Sequence, residues 1–251
     1  MAILTTDLST HLALITGATG GIGHATCLSL ARLGCNIAVH YNSAADTAES
    51  LVAQLQSIGV KASSFQADLS GYDGARNLHA AVVREMGHPT ILFNNAGLTL
   101  GKSGVKDIAE ITVEDFEQTW RANCGTAFLL TQLCLPSMVD NGWGRVIFCS
   151  SVAGFTGGVV GPHYASSKSA MHGLVHWLAG AYGKKGITVN GVAPALIEET
   201  KMLPGSTELA ARIPIGRLGK PEEIAETVVW MVKTGYVHNK VISVDGGLFV
   251  Q

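Results

Sequence analysis

Thr16-Gly17-Ala18-Thr19-Gly20-Gly21-Ile22-Gly23 separates a short apolar run, Leu12–Thr16, from a longer stretch with helical character at 21–33. Glycines at that junction allow a tight turn and let a phosphate approach the backbone where a Cβ would stand in the way. The helix behind them offers free N–H groups and a positive dipole end to a pyrophosphate. On its own, Gly-x3-Gly-x-Gly also describes an ordinary turn. Its place at the first strand–helix junction makes a dinucleotide loop the expectation, with Gly17, Thr19, Gly20, Gly21, Ile22 and Gly23 as contacts.

Outward from the loop, β-like and helical runs alternate to the end of the chain. Strands are expected at Leu12–Thr16, Asn36–His40, Lys61–Gln66, Thr90–Asn94, Arg145–Ser150, Ile187–Val192 and Lys240–Val244. Several are almost wholly apolar, as strands are when helices cover both sheet faces. Helices are expected at 21–33, 44–58, 71–86, 112–139, 163–184 and 221–234, the last opened by Pro221 with Glu222 and Glu223. This alternation predicts an α/β Rossmann fold: one domain over 1–251, a doubly wound, seven-stranded parallel sheet with helices on both faces. A loop at about 196–212, carrying Pro204-Gly205, is expected to close over substrate.

Composition narrows the function. The 251 residues are 47 % hydrophobic and only 14 % charged, with 30 glycines and a net charge of −2. Disorder needs the opposite balance. A near-neutral chain gives no electrostatic grip on nucleic acid or an anionic membrane. The uncharged stretches 8–31 and 146–167 are too rich in Gly, Ser, Thr and His to span lipid. Five scattered cysteines form no zinc spacing, so small buried thiols in a reducing cytoplasm are expected. His172 and His176 stand four apart, but no acidic partner accompanies them and no metal site is expected.

A second group of residues carries chemistry. The segment Tyr164-Ala165-Ser166-Ser167-Lys168 puts a phenol and an ammonium on one helix face. A neighbouring cation is expected to draw a phenol's pKa down from about 10. Ser151, at the C-terminal end of an apolar strand, lies where sheet ligands bind. The second strand runs out in Tyr41-Asn42-Ser43 with no acid before Asp46. An NAD-binding protein would carry an acid there for the ribose 2′-OH, so NADP/NADPH is favoured over NAD.

Taken together, these residues with Asn94-Asn95-Ala96-Gly97 and Asn123 resemble the short-chain dehydrogenase/reductase family from about residue 10 to 249. Within it the chain looks similar to 3-oxoacyl-carrier-protein reductases, through Gly186-Ile187-Thr188-Val189-Asn190, Ile215-Gly216-Arg217-Leu218-Gly219 and Val244-Asp245-Gly246-Gly247. The resemblance implies Tyr164 as acid/base, Lys168 on the nicotinamide ribose, Ser151 on the carbonyl, and Asn123 behind a proton-relay water. It implies Asp68 and Leu69 at the adenine, Asn95, Ala96 and Gly97 along the adenosine, and Pro194 to Ile197 at the nicotinamide. A small carbonyl substrate and a homotetramer follow by the same analogy.

The expected reaction is NADPH-dependent reduction of a ketone such as a 3-oxoacyl thioester or β-keto ester. Oxidation of a sugar, polyol or hydroxysteroid alcohol is the alternative, and a catalytically silent NADP-binding protein a remote one. Two departures bear on the substrate. Asn141-Gly142-Trp143-Gly144 lacks the basic residue that docks an acidic carrier protein, which puts carrier docking in doubt. One residue is inserted in Ile197–Met202. Where relatives carry Gly before the last strand, this chain has Asn239, which tolerates a left-handed backbone.

Overall fold

The computed structural model describes residues 4–198, 200 and 207–249. In chain order the principal elements are β1 Leu12–Ile15, α1 Gly21–Ala31, β2 Asn36–Tyr41, α2 Ala45–Ile58, β3 Ala62–Gln66, α3 Tyr72–Met86 and β4 Ile91–Asn94. There follow α4 Val113–Trp120, α5 Thr126–Asp140, β5 Gly144–Cys149, α6 Ala153–Thr156, α7 Pro162–Tyr182, β6 Ile187–Pro194, α8 Pro221–Lys233 and β7 Val241–Val244. Short 3-10 turns lie at Ile108–Glu110, Gly183–Lys185 and Thr207–Arg212.

The seven strands form one parallel sheet in the order β3-β2-β1-β4-β5-β6-β7. Strand polarity explains the two cores. In β1, Ala13 and Ile15 point to one face, Leu12 and Leu14 to the other. The same alternation sends Ile91 and Phe93 one way and Leu92 the other in β4. Leu30 of α1, Leu51 of α2 and Val228 of α8 close the first face; Leu78 of α3, Leu130 of α5 and Val175 of α7 close the second. Each such large aliphatic side chain contributes about 1.5–3 kcal/mol when fully buried. The order in which strands are added reverses between β1 and β4, and the crevice at the C-terminal strand ends opens there, where ligands bind in such sheets.

One buried cation belongs to this frame. Arg145 donates from Nε to the Val232 carbonyl (2.9 Å) and from a guanidinium N–H to the Gly144 carbonyl (2.8 Å). Its guanidinium lies over the Trp143 ring, 4.2 Å from the centroid. It pins the end of α8 to the start of β5.

One expectation changes. The helix expected at 112–139 is α4 and α5 joined by a π turn, Arg121–Gly125. Apolar spacing continues through the break, because a π turn adds a residue without changing composition. Of the expected substrate loop, residues 199 and 201–206, which include the Pro204-Gly205 turn and most of the insertion, lie outside the described residues. Asn239 does take a left-handed backbone, with φ of +61°.

Candidate active site

The crevice is a cavity of about 900 Å³. Its floor at one end is the glycine loop. Gly17 sits at φ +63°, and a Cβ there would come 3.1 Å from Ala96 Cα. A Cβ on Gly23 would reach 2.5 Å from the Gly17 carbonyl oxygen and 2.8 Å from Ala18 Cα. α1 begins on Gly20 with no side-chain cap, so its first-turn N–H groups remain available to a ligand. Gly17, Thr19, Gly20, Gly21, Ile22 and Gly23 all line the cavity. The cradle has the backbone donors and the bare surface that a pyrophosphate needs.

Neighbouring strands hold the loop. The Thr16 hydroxyl accepts the amides of Asn95 and Ala96, both at 2.9 Å. The Asn95 amide group donates back to the carbonyls of Thr16 (2.9 Å) and Gly17 (3.1 Å). His40 was not expected at the site. Its Nδ1 accepts the Gly17 amide (2.9 Å), so Nε2 carries the proton and faces the Ala67 carbonyl at 3.0 Å. Burial pushes its pKa down to about 4, which keeps the ring neutral. Its place at the end of β2, beside the loop, was the only signal for it in the sequence.

Toward the ends of β2, β3 and β4, Asn42, Ser43, Asp68, Leu69, Asn95, Ala96 and Gly97 line the cavity. Asp68 accepts the Ser70 amide and hydroxyl at 2.8 and 2.9 Å, which shapes that turn. Tyr41 does not line the cavity. Successive strand side chains point to opposite faces, and its ring packs against the α1–α2–α8 core instead.

The other end holds Ser151, Tyr164, Lys168, Pro194 and Ile197, with Val159, Val160, Leu248 and Phe249 as apolar wall. Ser151 Oγ accepts the Ala153 amide (3.1 Å), and its hydroxyl makes a long contact to the Pro194 carbonyl (3.4 Å) and faces the Tyr164 phenol. The hydroxyl can turn its hydrogen to a ligand.

Lys168 and Tyr164 stand together, but the shift of the phenol is the reverse of the one expected. The Lys168 Nζ donates to the Cys149 carbonyl at 2.7 Å and stands 5.6 Å from the centroid of the Tyr164 ring. Burial lowers the pKa of the ammonium. The Tyr164 phenol goes up rather than down: burial is the main cause, the Cys149 thiol adds to it, and the Ser151 hydroxyl works against it. Desolvation of the phenolate dominates at this buried site.

Asn123 is fully buried in the π turn and does not line the cavity. Its Oδ1 accepts the Leu98 amide (2.8 Å), while Nδ2 donates to the Leu98 carbonyl and to Ser167 Oγ, both at 3.0 Å. Three of the four bonds the side chain can make are therefore spent holding the 97–98 backbone to α7. The two histidines expected to hold no metal have other partners: His176 Nδ1 meets Asn239 Oδ1 at 2.6 Å, and His172 Nε2 meets Ser150 Oγ at 2.7 Å. All five cysteines are free and buried. Among the described residues no helix is long and apolar enough to cross a membrane.

The comparisons agree with this geometry. The family model described as short chain dehydrogenase matches residues 11–209. An uncharacterized oxidoreductase of Bacillus subtilis is 36 % identical over 243 residues, covering 94 % of this chain and 97 % of its own length. A 3-oxoacyl-[acyl-carrier-protein] reductase of Pseudomonas aeruginosa is 33 % identical over 252 residues, covering 97 % and 99 %. Among solved structures, a blue fluorescent protein from a metagenomic library in complex with NADPH superposes with a TM-score of 0.89 at 33 % identity, covering 97 % of this chain and all of that one. The chain belongs to the short chain dehydrogenase family and is an oxidoreductase.

Proposed function

We propose that this protein reduces a ketone to a secondary alcohol with NADPH, the substrate being a 3-oxoacyl thioester, a β-keto ester or a similar carbonyl. The observation that carries the reading is that Ser151 and Tyr164 line the same cavity as the glycine cradle. Similarity to the Pseudomonas reductase and to the NADPH-bound structure supports it. So does the end of β2, where Asn42 and Ser43 present no carboxylate to a 2′-phosphate.

NADPH, when bound, supplies the hydride. The first-turn amides of α1 hold its pyrophosphate, and Asp68, Leu69 and Asn95 to Gly97 flank the adenosine. Pro194 to Ile197 cover the nicotinamide side. Ser151 and Tyr164 both donate to the carbonyl oxygen as negative charge develops on it, which stabilises the transition state. Tyr164 then gives up its phenolic proton to that oxygen. The buried Tyr164 phenol is protonated at neutral pH and so carries the proton that this step transfers. Lys168 holds positive charge beside the site, and Asn123 acts by fixing the backbone at Leu98.

The same reading includes a single domain, a cytoplasmic location in keeping with five free thiols, and a homotetramer. Support for assembly comes from Val113 and Phe116 of α4, Phe128 of α5 and Trp177 of α7, all exposed. Light scattering that finds a monomer removes the tetramer.

The deciding experiment follows NADPH consumption with acetoacetyl thioesters, β-keto esters, bulky ketones and sugars, repeated with NADH. Tyr164→Phe is expected to lower turnover by about 10²- to 10⁴-fold while NADPH binding persists. Near-wild-type turnover in that variant, or a wild type that binds NADPH and reduces none of these compounds, overturns the proposal.

A further inference from the structure

Behind Lys168 lies a hydrogen-bonded group that the reaction above does not use. Ser150 Oγ donates to the main-chain carbonyl of Lys168 at 3.0 Å and lies 2.7 Å from His172 Nε2. With the Ser150 hydrogen committed to Lys168, the imidazole must donate, so Nε2 carries its proton. In an α-helix the Lys168 carbonyl also accepts the amide of the residue four further on, which is His172. That residue therefore brackets one carbonyl with its backbone and, through Ser150, with its side chain.

Surrounding packing is built for the imidazole. A Cβ on Gly154 would come 3.0 Å from both Cε1 and Nε2 of His172 and 3.1 Å from the Lys168 carbonyl carbon. The Phe155 ring lies 4.3 Å from the imidazole, centroid to centroid, and Phe249 stacks on Phe155 at 5.4 Å. Phe249 lines the cavity. At its other end, Lys168 donates Nζ to the carbonyl of Cys149, the residue before Ser150. Lys168 is thus fastened at both its side chain and its carbonyl to the two residues that precede Ser151.

We propose that His172 is a positioning residue: through Ser150 it fixes Lys168 and the end of β5, and so sets where Ser151 and the ammonium stand relative to Tyr164. This rests on the ketone-reducing reading for its effect on turnover. Misplacing a reacting group by about 1 Å costs up to about 100-fold in rate.

The test compares His172→Leu, His172→Gln, Ser150→Ala and the Ser150→Ala/His172→Leu double variant. His172→Leu is expected to lower kcat by about 10- to 100-fold, with ketone KM and NADPH affinity within about twofold. Gln can place a donor near the position of Nε2, so His172→Gln should recover most of the loss. Ser150→Ala should resemble His172→Leu, and the double variant should be no worse than either, since residues in one network are not additive. Nitrogen NMR of the imidazole should show the Nε2–H form in the wild type and lose that signature in Ser150→Ala.

Wild-type kcat in His172→Leu overturns the proposal. Equal defects in the Gln and Leu variants overturn it too, because packing on Phe155 would then be the cause. Losses that multiply, or a wild-type imidazole protonated on Nδ1, do the same. If His172→Leu does not fold, Ser150→Ala and the NMR signature decide. A wild type that reduces no ketone sinks the functional reading instead, and the NMR signature separates that failure from this one.

Discussion

The Gly17 amide donates to Nδ1 of His40 across 2.9 Å, so the first glycine of the cradle is fastened to a neutral imidazole at the end of β2. The other ring nitrogen faces the Ala67 carbonyl, and the ring is almost wholly buried. A proton added at Nδ1 removes the acceptor that Gly17 needs.

That bond sets a pH dependence of stability. Burial lowers the folded pKa of His40 from 6.5 to about 4. Below pH 6.5 the unfolded chain takes up a proton that the folded chain refuses. Stability is therefore full above pH 6.5 and falls as pH drops toward 4, by about 3 kcal/mol in all. His40→Gln should flatten this part of the Tm-against-pH curve. Equal slopes in both proteins would show that His40 does not titrate this way.

Gly23→Ala should damage the cradle directly. The new methyl meets backbone atoms, the Gly17 oxygen and Ala18 Cα, and neither can swing aside. Overpacking of this kind costs about 1–3 kcal/mol, and NADPH affinity should fall by at least about tenfold. Fluorescence titration and a melting curve read both effects. Unchanged affinity would place the pyrophosphate elsewhere.

Cofactor choice should turn on Asn42. Asn42→Asp puts a carboxylate on the exposed cavity edge at the end of β2, close to where the 2′-phosphate is proposed to lie. Repulsion between the two should weaken NADPH by about tenfold or more at low salt and leave NADH unharmed. Added salt should shrink the difference. Equal loss for both cofactors would argue against a 2′-phosphate at this edge.

Arg145→Lys should destabilise the fold without touching the cavity. Lysine cannot reproduce the planar fork that reaches the Val232 and Gly144 carbonyls while lying over Trp143. A loss of about 1–3 kcal/mol is expected from chemical denaturation, with NADPH affinity unchanged. A parallel loss of affinity would mean that the pin between α8 and β5 extends its influence to the site.

The strand and helix pattern was legible because both faces of the sheet are covered, which leaves several nearly unbroken apolar strands alternating with longer helical runs. The glycine cradle and the Tyr164–Lys168 pair are local spacings, while Ser151 was marked by its place at a strand end and by the family resemblance; all of them line one cavity. What could not be read was orientation. Tyr-x3-Lys gives a shared helix face but says nothing about the Cys149 carbonyl that captures the ammonium. The order Tyr41-Asn42-Ser43 does not reveal that Tyr41 turns to the core while His40 turns to the loop. Nor does composition mark the π turn that buries Asn123.

Cys149, Ser150 and Ser151 each have a separate attachment: a carbonyl for the Lys168 ammonium, a hydroxyl for the Lys168 carbonyl, and a hydroxyl exposed to the cavity. Inserting or deleting one residue within this tripeptide would exchange all three at once, so its length is fixed even where its side chains could vary. The connection between α6 and α7 is held as well: the carbonyls of Val159 and Val160 accept the amides of Gly104 and Val105 at 2.9 and 3.2 Å. Gly157, Gly158 and Gly161 all take positive φ there, and a Cβ would come 2.6 Å from the Ala153 Cβ at Gly158 and 2.9 Å from Val105 Cγ2 at Gly161. The path from Ser151 to Tyr164 is therefore tied down at both ends, and a change of length in it would have to break backbone bonds to the 104–105 segment or displace the strand end that carries Ser151.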